Sequence, residues 1–195
     1  MEPQAILALL AFGVVSSFTP GPNNLMLMAS GANFGVARTM PHMTGVVIGF
    51  SVMIIIVGLG LFGLFHAWPA SFTVLKVVSV AYTLWLAWKI ARSSPPDAAG
   101  TDARPMTFLQ AAAFQWVNPK AWTMALSAIT LYAPDERLGS VLFLALVFGL
   151  IGTGSSASWM LMGRSIRGWL SNRKRLLAFN YGMAALLVGS IGLAL

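Results

Sequence analysis

The chain has 195 residues, of which 57% are hydrophobic and only 9% charged, with a net charge of +7 and no cysteine. A soluble globular domain carries roughly a quarter charged residues, so this chain cannot build a water-facing surface and needs lipid around much of its outside. The missing thiol excludes disulfides, thiol catalysis and cysteine-ligated metals, and the basic residues cluster in a few loops, which reads as membrane topology rather than nucleic-acid binding.

The first of six apolar stretches runs from about Pro3 to Phe34 and is interrupted at Pro20-Gly21-Pro22. Glu2 stands where a signal peptide would be basic, and no small-residue cleavage site ends the run, so it reads as a retained first span. Two prolines in three residues cannot continue an α-helix, because each removes a donor and clashes with the preceding turn. Gly21 permits the break, and Pro22 suits the first position of a new helix. The first N–H groups of that helix have no internal partner. In a bilayer such ends are tolerated only against protein or a water-filled cavity. Their partial positive charge suits a carboxylate such as that of an amino acid. Asn23 and Asn24 add side-chain donors and acceptors. The competing reading is a plain proline kink near one interface.

The second stretch, about Pro41–His66, opens with His42, whose ordinary titration range suits a proton switch. The bland alternative is a histidine at the interface. His66 at the other end is a weaker candidate. Gly45-x-x-x-Gly49 allows close helix packing. The third stretch, about Phe72–Ala91, carries Lys76 near its start, where it can snorkel, and Tyr82, Trp85 and Trp88, which suit packing and an interfacial belt. A polar linker, Ser93–Pro105, follows.

The second half repeats the break. Thr107-x-x-Gln110 has the form of a capping box. It opens a helix of about ten residues, Phe108–Val117, roughly half the hydrocarbon thickness at 1.5 Å per residue. Asn118-Pro119-Lys120 then supplies an N-cap, a proline at the first helical position and a second helix ending near Tyr132. Lys120 opposes the helix dipole there; a bound anion would offset this, or the side chain could snorkel to headgroups. The fifth stretch, about Gly139–Met162, has a small-residue seam of Gly152, Gly154, Ser155, Ser156 and Ser158 that reads as packing. The sixth, about Leu176–Leu195, opens with Asn180 and Tyr181, which suit a polar wall or interfacial anchors, the latter being the preferred reading.

Ten Lys and Arg residues fall on the side of the loops after the first, third and fifth spans: Arg38, Lys89, Arg92, Arg104, Lys120, Arg164, Arg167, Arg173, Lys174 and Arg175. The other side has Arg137. The basic side is expected to be cytoplasmic, which puts both termini in the periplasm. The expectation is an all-α membrane protein: one transmembrane domain over residues 1–195, with six transmembrane helices as two inverted three-helix repeats. The halves are about 1–92 and 106–195, joined by a cytoplasmic linker at 93–105, each with a Pro-broken first helix. Matching broken helices in two halves point to a transporter site between them.

Other chemistries find less support. The five acids, Glu2, Asp97, Asp102, Asp135 and Glu136, all lie outside the spans, so a carboxylate proton relay is not expected. Two histidines without a membrane carboxylate make a poor metal site. An intramembrane hydrolase would need a serine of Gly154-Ser155-Ser156 with a histidine, but the Gly-x-Ser-x-Gly arrangement and an acidic partner are missing. No enzymatic activity and no cofactor are expected. The breaks argue against a scaffold but do not separate a channel or uniporter from a coupled exporter.

Five segments resemble the LysE/RhtB family of amino-acid exporters: Thr19-Pro-Gly-Pro-Asn-Asn24, Ala81-Tyr-Thr-Leu-Trp-Leu-Ala-Trp-Lys-Ile90, Gln115-Trp-Val-Asn-Pro-Lys120, Ile151-Gly-Thr-Gly154, and Trp159 with Gly163. Their order covers essentially the whole chain, and the nearest branch is that of cysteine/O-acetylserine exporters. The resemblance implies export of small neutral amino acids or derivatives across the inner (plasma) membrane, driven by the proton gradient. The expected substrate-binding residues are Thr19, Pro20, Gly21, Pro22, Asn23, Asn24, Gln115, Asn118 and Lys120. His42 is the candidate for proton coupling, though the family likeness does not itself supply it. The expected partners are the amino-acid substrate and membrane lipid, with pairing into a homodimer left open and no nucleic acid.

Overall fold

The structure is a computed structural model that describes residues 2–61, 70–92, 104–133 and 137–194. Every regular element among them is helical. Most of the 93–105 linker, His66, the side chain of Lys76, and Asp97, Asp102, Asp135 and Glu136 lie outside the described residues.

Helix α1 (Pro3–Phe18) stops where the sequence demands. Thr19 precedes a proline and is extended, at φ −61° and ψ 143°, as a pre-proline residue prefers. Helix α2 (Pro22–Ile56) restarts with proline at its first position, where the lost donor costs nothing.

Gly35 divides α2 into a hairpin of two helical limbs. Gly35 has φ 75° and ψ 177°, a conformation open essentially only to glycine. Ser30 and Thr39 show the reversal: nine residues of straight helix would separate them by about 13 Å, yet their hydroxyl oxygens are 3.0 Å apart. The expected first and second stretches are therefore real, but the turn is a single residue, and Pro41 lies inside the second limb rather than at its start. The second limb closes in a π-helical turn, Val57–Leu61.

Helix α3 (Ala70–Ala91) precedes the linker. The capping box opens α4 (Phe108–Phe114): Gln110 N donates to Thr107 Oγ1 at 3.3 Å, and Thr107 N donates to Gln110 Oε1 at 3.0 Å. A 3₁₀ turn, Gln115–Val117, leads to α5 (Pro119–Tyr132), whose N-cap Asn118 accepts from Lys120 N at 3.2 Å. Helix α6 (Leu138–Ser165), a 3₁₀ turn (Trp169–Ser171) and α7 (Arg173–Ala194) complete the chain.

Small residues set the closest helix approaches, as membrane packing favours. Gly31 lies against the Met160 carbonyl and Gly163 against that of Met28, locking the first limb of α2 to α6. Gly45 and Gly49 bring the second limb onto the backbone of α4 at Phe108 and Ala112. One apolar cluster joins α1, the second limb, α5 and α6 through Leu9, Met53, Trp122, Leu144 and Phe148. Phe148 meets Phe12 and Phe50 edge-on at 6.2 and 5.8 Å, a favoured aromatic geometry. A second cluster ties α3 and α7 to Leu25, Met26 and Phe114.

The outside is apolar. Leu7, Leu109, Leu131 and Leu150 are each more than 60% exposed, far more hydrophobic surface than water tolerates. By length and composition α6 is also able to cross a membrane. At the basic end Lys89 stacks on Trp85, Arg92 on Trp88 and Arg175 on Trp169, with the cation 4.6–5.2 Å from the ring centroid. The helical architecture and this belt fit a membrane protein.

One expectation is corrected. Asn180 is no interfacial anchor: it is fully buried and accepts from Asn33 Nδ2 at 3.2 Å, whereas Tyr181 is 60% exposed. His42 is enclosed by protein, at 1% exposure, and lines a cavity with residues of both limbs of α2 and the start of α4.

Candidate functional site

The two breaks meet. Asn23 Nδ2 donates to Gln115 Oε1 at 2.8 Å, and Gln115 Nε2 donates back to Asn23 Oδ1 at 3.2 Å. Gln115 Nε2 also holds the Ala111 carbonyl at 2.9 Å. Lys120 Nζ donates to the Thr19 carbonyl at 2.6 Å and to Thr19 Oγ1 at 2.9 Å. Each half thus supplies one residue to each of two bridges.

These bridges follow from the helix ends. The last carbonyls of α1 face away from any helical donor and carry partial negative charge. Asn24 Nδ2 donates to the Ser17 and Thr19 carbonyls at 2.8 and 2.9 Å, and Ser155 Oγ donates to Ser17 at 2.7 Å. Lys120 adds its ammonium at the same end. Its charge, unfavourable at the start of α5, is favourable at the end of α1, where Thr19 holds it. At the start of α2 no side chain caps the helix. The first helical amide bond there is Leu25 N to Gly21 O, which leaves the Asn23 and Asn24 amides as helix-end donors.

A cavity of about 60 Å³ sits at this junction, against roughly 10–15 Å³ for one water. Gly21, Asn23, Asn24, Asn118 and Lys120 line it. Thr19, Pro20, Pro22 and Gln115 do not: Pro20 faces outward, Pro22 is buried, and Thr19 and Gln115 act through the bridges. Gly21 leaves room for the Lys120 side chain, which a Cβ there would displace.

Ser155 and Ser156 also line the cavity, although the small-residue seam reads as packing in sequence. Their only signal was the company of glycines. Gly152 faces open space there. Phe50, Met124 and Phe148 form apolar walls, and nothing in the sequence separates them from other core residues. Ser155 directs its hydroxyl to Ser17, and His42 lines a different cavity, so these two described residues do not form a hydrolase pair.

The LysE type translocator family matches residues 14–195. The chain belongs to that family. It is also similar to cysteine/O-acetylserine efflux proteins of Escherichia coli (strain K12) and Shigella flexneri. Each is 29% identical over 165 residues, covering 84% of this chain and 84% of the relative. The protein of that name from Escherichia coli O1:K1 is 28% identical over the same coverage. No solved structure matches the chain.

This translocator has a second cavity, about 430 Å³, at the basic end. Asn33 and His42 from the two limbs of α2 line it, with Lys89 and Arg92 from the end of α3 and Arg104 ahead of α4.

Proposed function

We propose that this translocator exports small neutral amino acids or their derivatives, of the cysteine, O-acetylserine, homoserine or threonine type, from the cytoplasm in exchange for protons. The observation that carries the reading is the cavity where the two broken helices cross-bridge, with Asn23, Asn24, Asn118 and Lys120 among otherwise largely apolar walls. The relatives' names support the substrate class. The chain would pass six times through the inner membrane as two inverted halves, with periplasmic termini and the basic end in the cytoplasm.

The substrate carboxylate would take the Asn23 and Asn24 amides and the Lys120 ammonium. An ammonium has three donors; Thr19 engages two, and the third is available to a ligand. Asn118 and the Asn23 side chain would orient the rest. Pro20, Gly21, Pro22 and Pro119 keep the helices broken. The Asn23–Gln115 and Lys120–Thr19 bridges would exchange for substrate contacts as one half rocks against the other.

Proton exchange needs a titrating group. Among the described residues the only carboxylate is Glu2, at the N-cap of α1, which leaves His42 as the candidate. Lys89, Arg92 and Arg104 line its cavity.

Efflux of labelled O-acetyl-L-serine and cysteine from proteoliposomes, with and without a pH gradient, tests the reading. Efflux accelerated by an inward proton gradient is expected, and His42→Leu should lose the acceleration. Efflux indifferent to the gradient would favour a channel or uniporter, and no efflux of any amino acid would refute the exporter.

A further inference from the structure

His42 is 1% exposed, and neither ring nitrogen has a hydrogen-bond partner in the protein. Asn33, 2% exposed, donates to Ala29 and Asn180 through Nδ2, but its Oδ1 has no partner. Both side chains line the 430 Å³ cavity. Buried polar groups are normally satisfied, so two such residues lining one cavity point to a ligand.

The rest of the wall indicates its chemistry. Lys89, Arg92 and Arg104 put positive charge at the mouth, which attracts an anionic group. Asn33 Oδ1 can only accept, and a neutral imidazole offers one acceptor nitrogen and one donor. The inner wall therefore suits a cation with N–H donors and the mouth suits a carboxylate. A zwitterionic amino acid presents both.

The position also fits a path. Asn23 lines the central cavity and Met26 the second one; His42 lines the second cavity and Val46 the central one. Each limb of α2 passes from one cavity to the other within about one helical turn.

We propose that this cavity is a second amino-acid site, a loading site that receives the substrate before it reaches the central cavity. The identity of its ligand rests on the exporter reading; the existence of the site rests on Asn33, His42 and the basic mouth.

Equilibrium dialysis of labelled O-acetyl-L-serine against the purified full chain tests it. The wild type should bind two equivalents. Lys120→Met and His42→Leu should each bind one, and the double variant none. His42→Gln, which keeps a donor and an acceptor, should keep two with the second weakened. Arg104→Gln, exposed at the mouth, should weaken the second equivalent about threefold at low salt and not at high salt, as screening requires. A single equivalent in the wild type, untouched by His42→Leu, would overturn the loading site and leave the exporter standing. No binding to any form would overturn both.

Discussion

The ammonium of Lys120 lies 2.6 Å from the carbonyl oxygen of Thr19, a contact between residues 101 positions apart that joins the start of one half-helix to the end of another. It places the one charge of the central cavity where a carboxylate would meet it. The same carbonyl keeps a second donor, Asn24 Nδ2 at 2.9 Å. Lys120→Met should therefore leave the fold intact at a cost of about 1.5–3 kcal/mol, the range for hydrogen bonds made by a charged group. Efflux should be abolished. Thermal unfolding in detergent and proteoliposome efflux separate the two effects; a melting loss as complete as the efflux loss would make Lys120 structural.

The Asn23–Gln115 bridge behaves differently, because each amide satisfies the other. Asn23→Ala strands the buried Gln115 amide and should cost about 1–3 kcal/mol, whereas Gln115→Ala leaves the half-buried Asn23 amide facing the cavity and should cost less. The double variant removes both partners and should cost less than the sum, with a coupling of about 0.5–3 kcal/mol in a double-mutant cycle. Additive losses would show that the bridge does not couple the halves.

Gly21 is extended at φ −174°, so alanine suits its backbone. A Cβ there would come within 2.7 Å of Lys120 Cδ and 3.1 Å of Nζ, and the flexible lysine would have to move. Gly21→Ala should fold normally and lower substrate affinity about tenfold, the effect of losing about 1.4 kcal/mol of contact. Direct binding assays check it.

The breaks were legible because proline, glycine and capping residues act within a few positions. Pro20-Gly21-Pro22, the Thr107–Gln110 box and the Asn118 N-cap all stand where local chemistry requires them. That the chain is helical and apolar outside follows from composition. The bridges were not legible as pairs: Asn23 and Gln115 are 92 residues apart, and only tertiary packing selects the partner. The burial of His42 and Asn180 was missed for the same reason, since depth depends on the helices that cover a residue. Ser155 looked like packing because a serine among glycines serves both purposes.

Gly35 carries the hairpin of α2. At φ 75° and ψ 177° a side chain is strained by about 1–3 kcal/mol, and a Cβ would also meet Arg167 Nη1. Gly35→Ala should lower the melting temperature by that equivalent. An unchanged melting temperature would mean that the reversal does not depend on glycine.

The α2–α6 seam gives the sharpest test of the packing. A Cβ on Gly31 would run into the Met160 carbonyl, and one on Gly163 into the Met28 carbonyl. Backbone cannot rotate away as a side chain can, so the helices must separate. Gly31→Ala and Gly163→Ala should each cost about 1–3 kcal/mol, the usual range for overpacking, and efflux should fall with stability because this seam holds the first limb that carries Asn23 and Asn24. Gly182 has nothing within 4 Å of its Cβ position. Gly182→Ala should be neutral, or stabilising by up to about 1 kcal/mol through helix propensity. Melting curves of the three variants decide: equal behaviour at Gly31, Gly163 and Gly182 would show that α2 and α6 do not meet through these glycines.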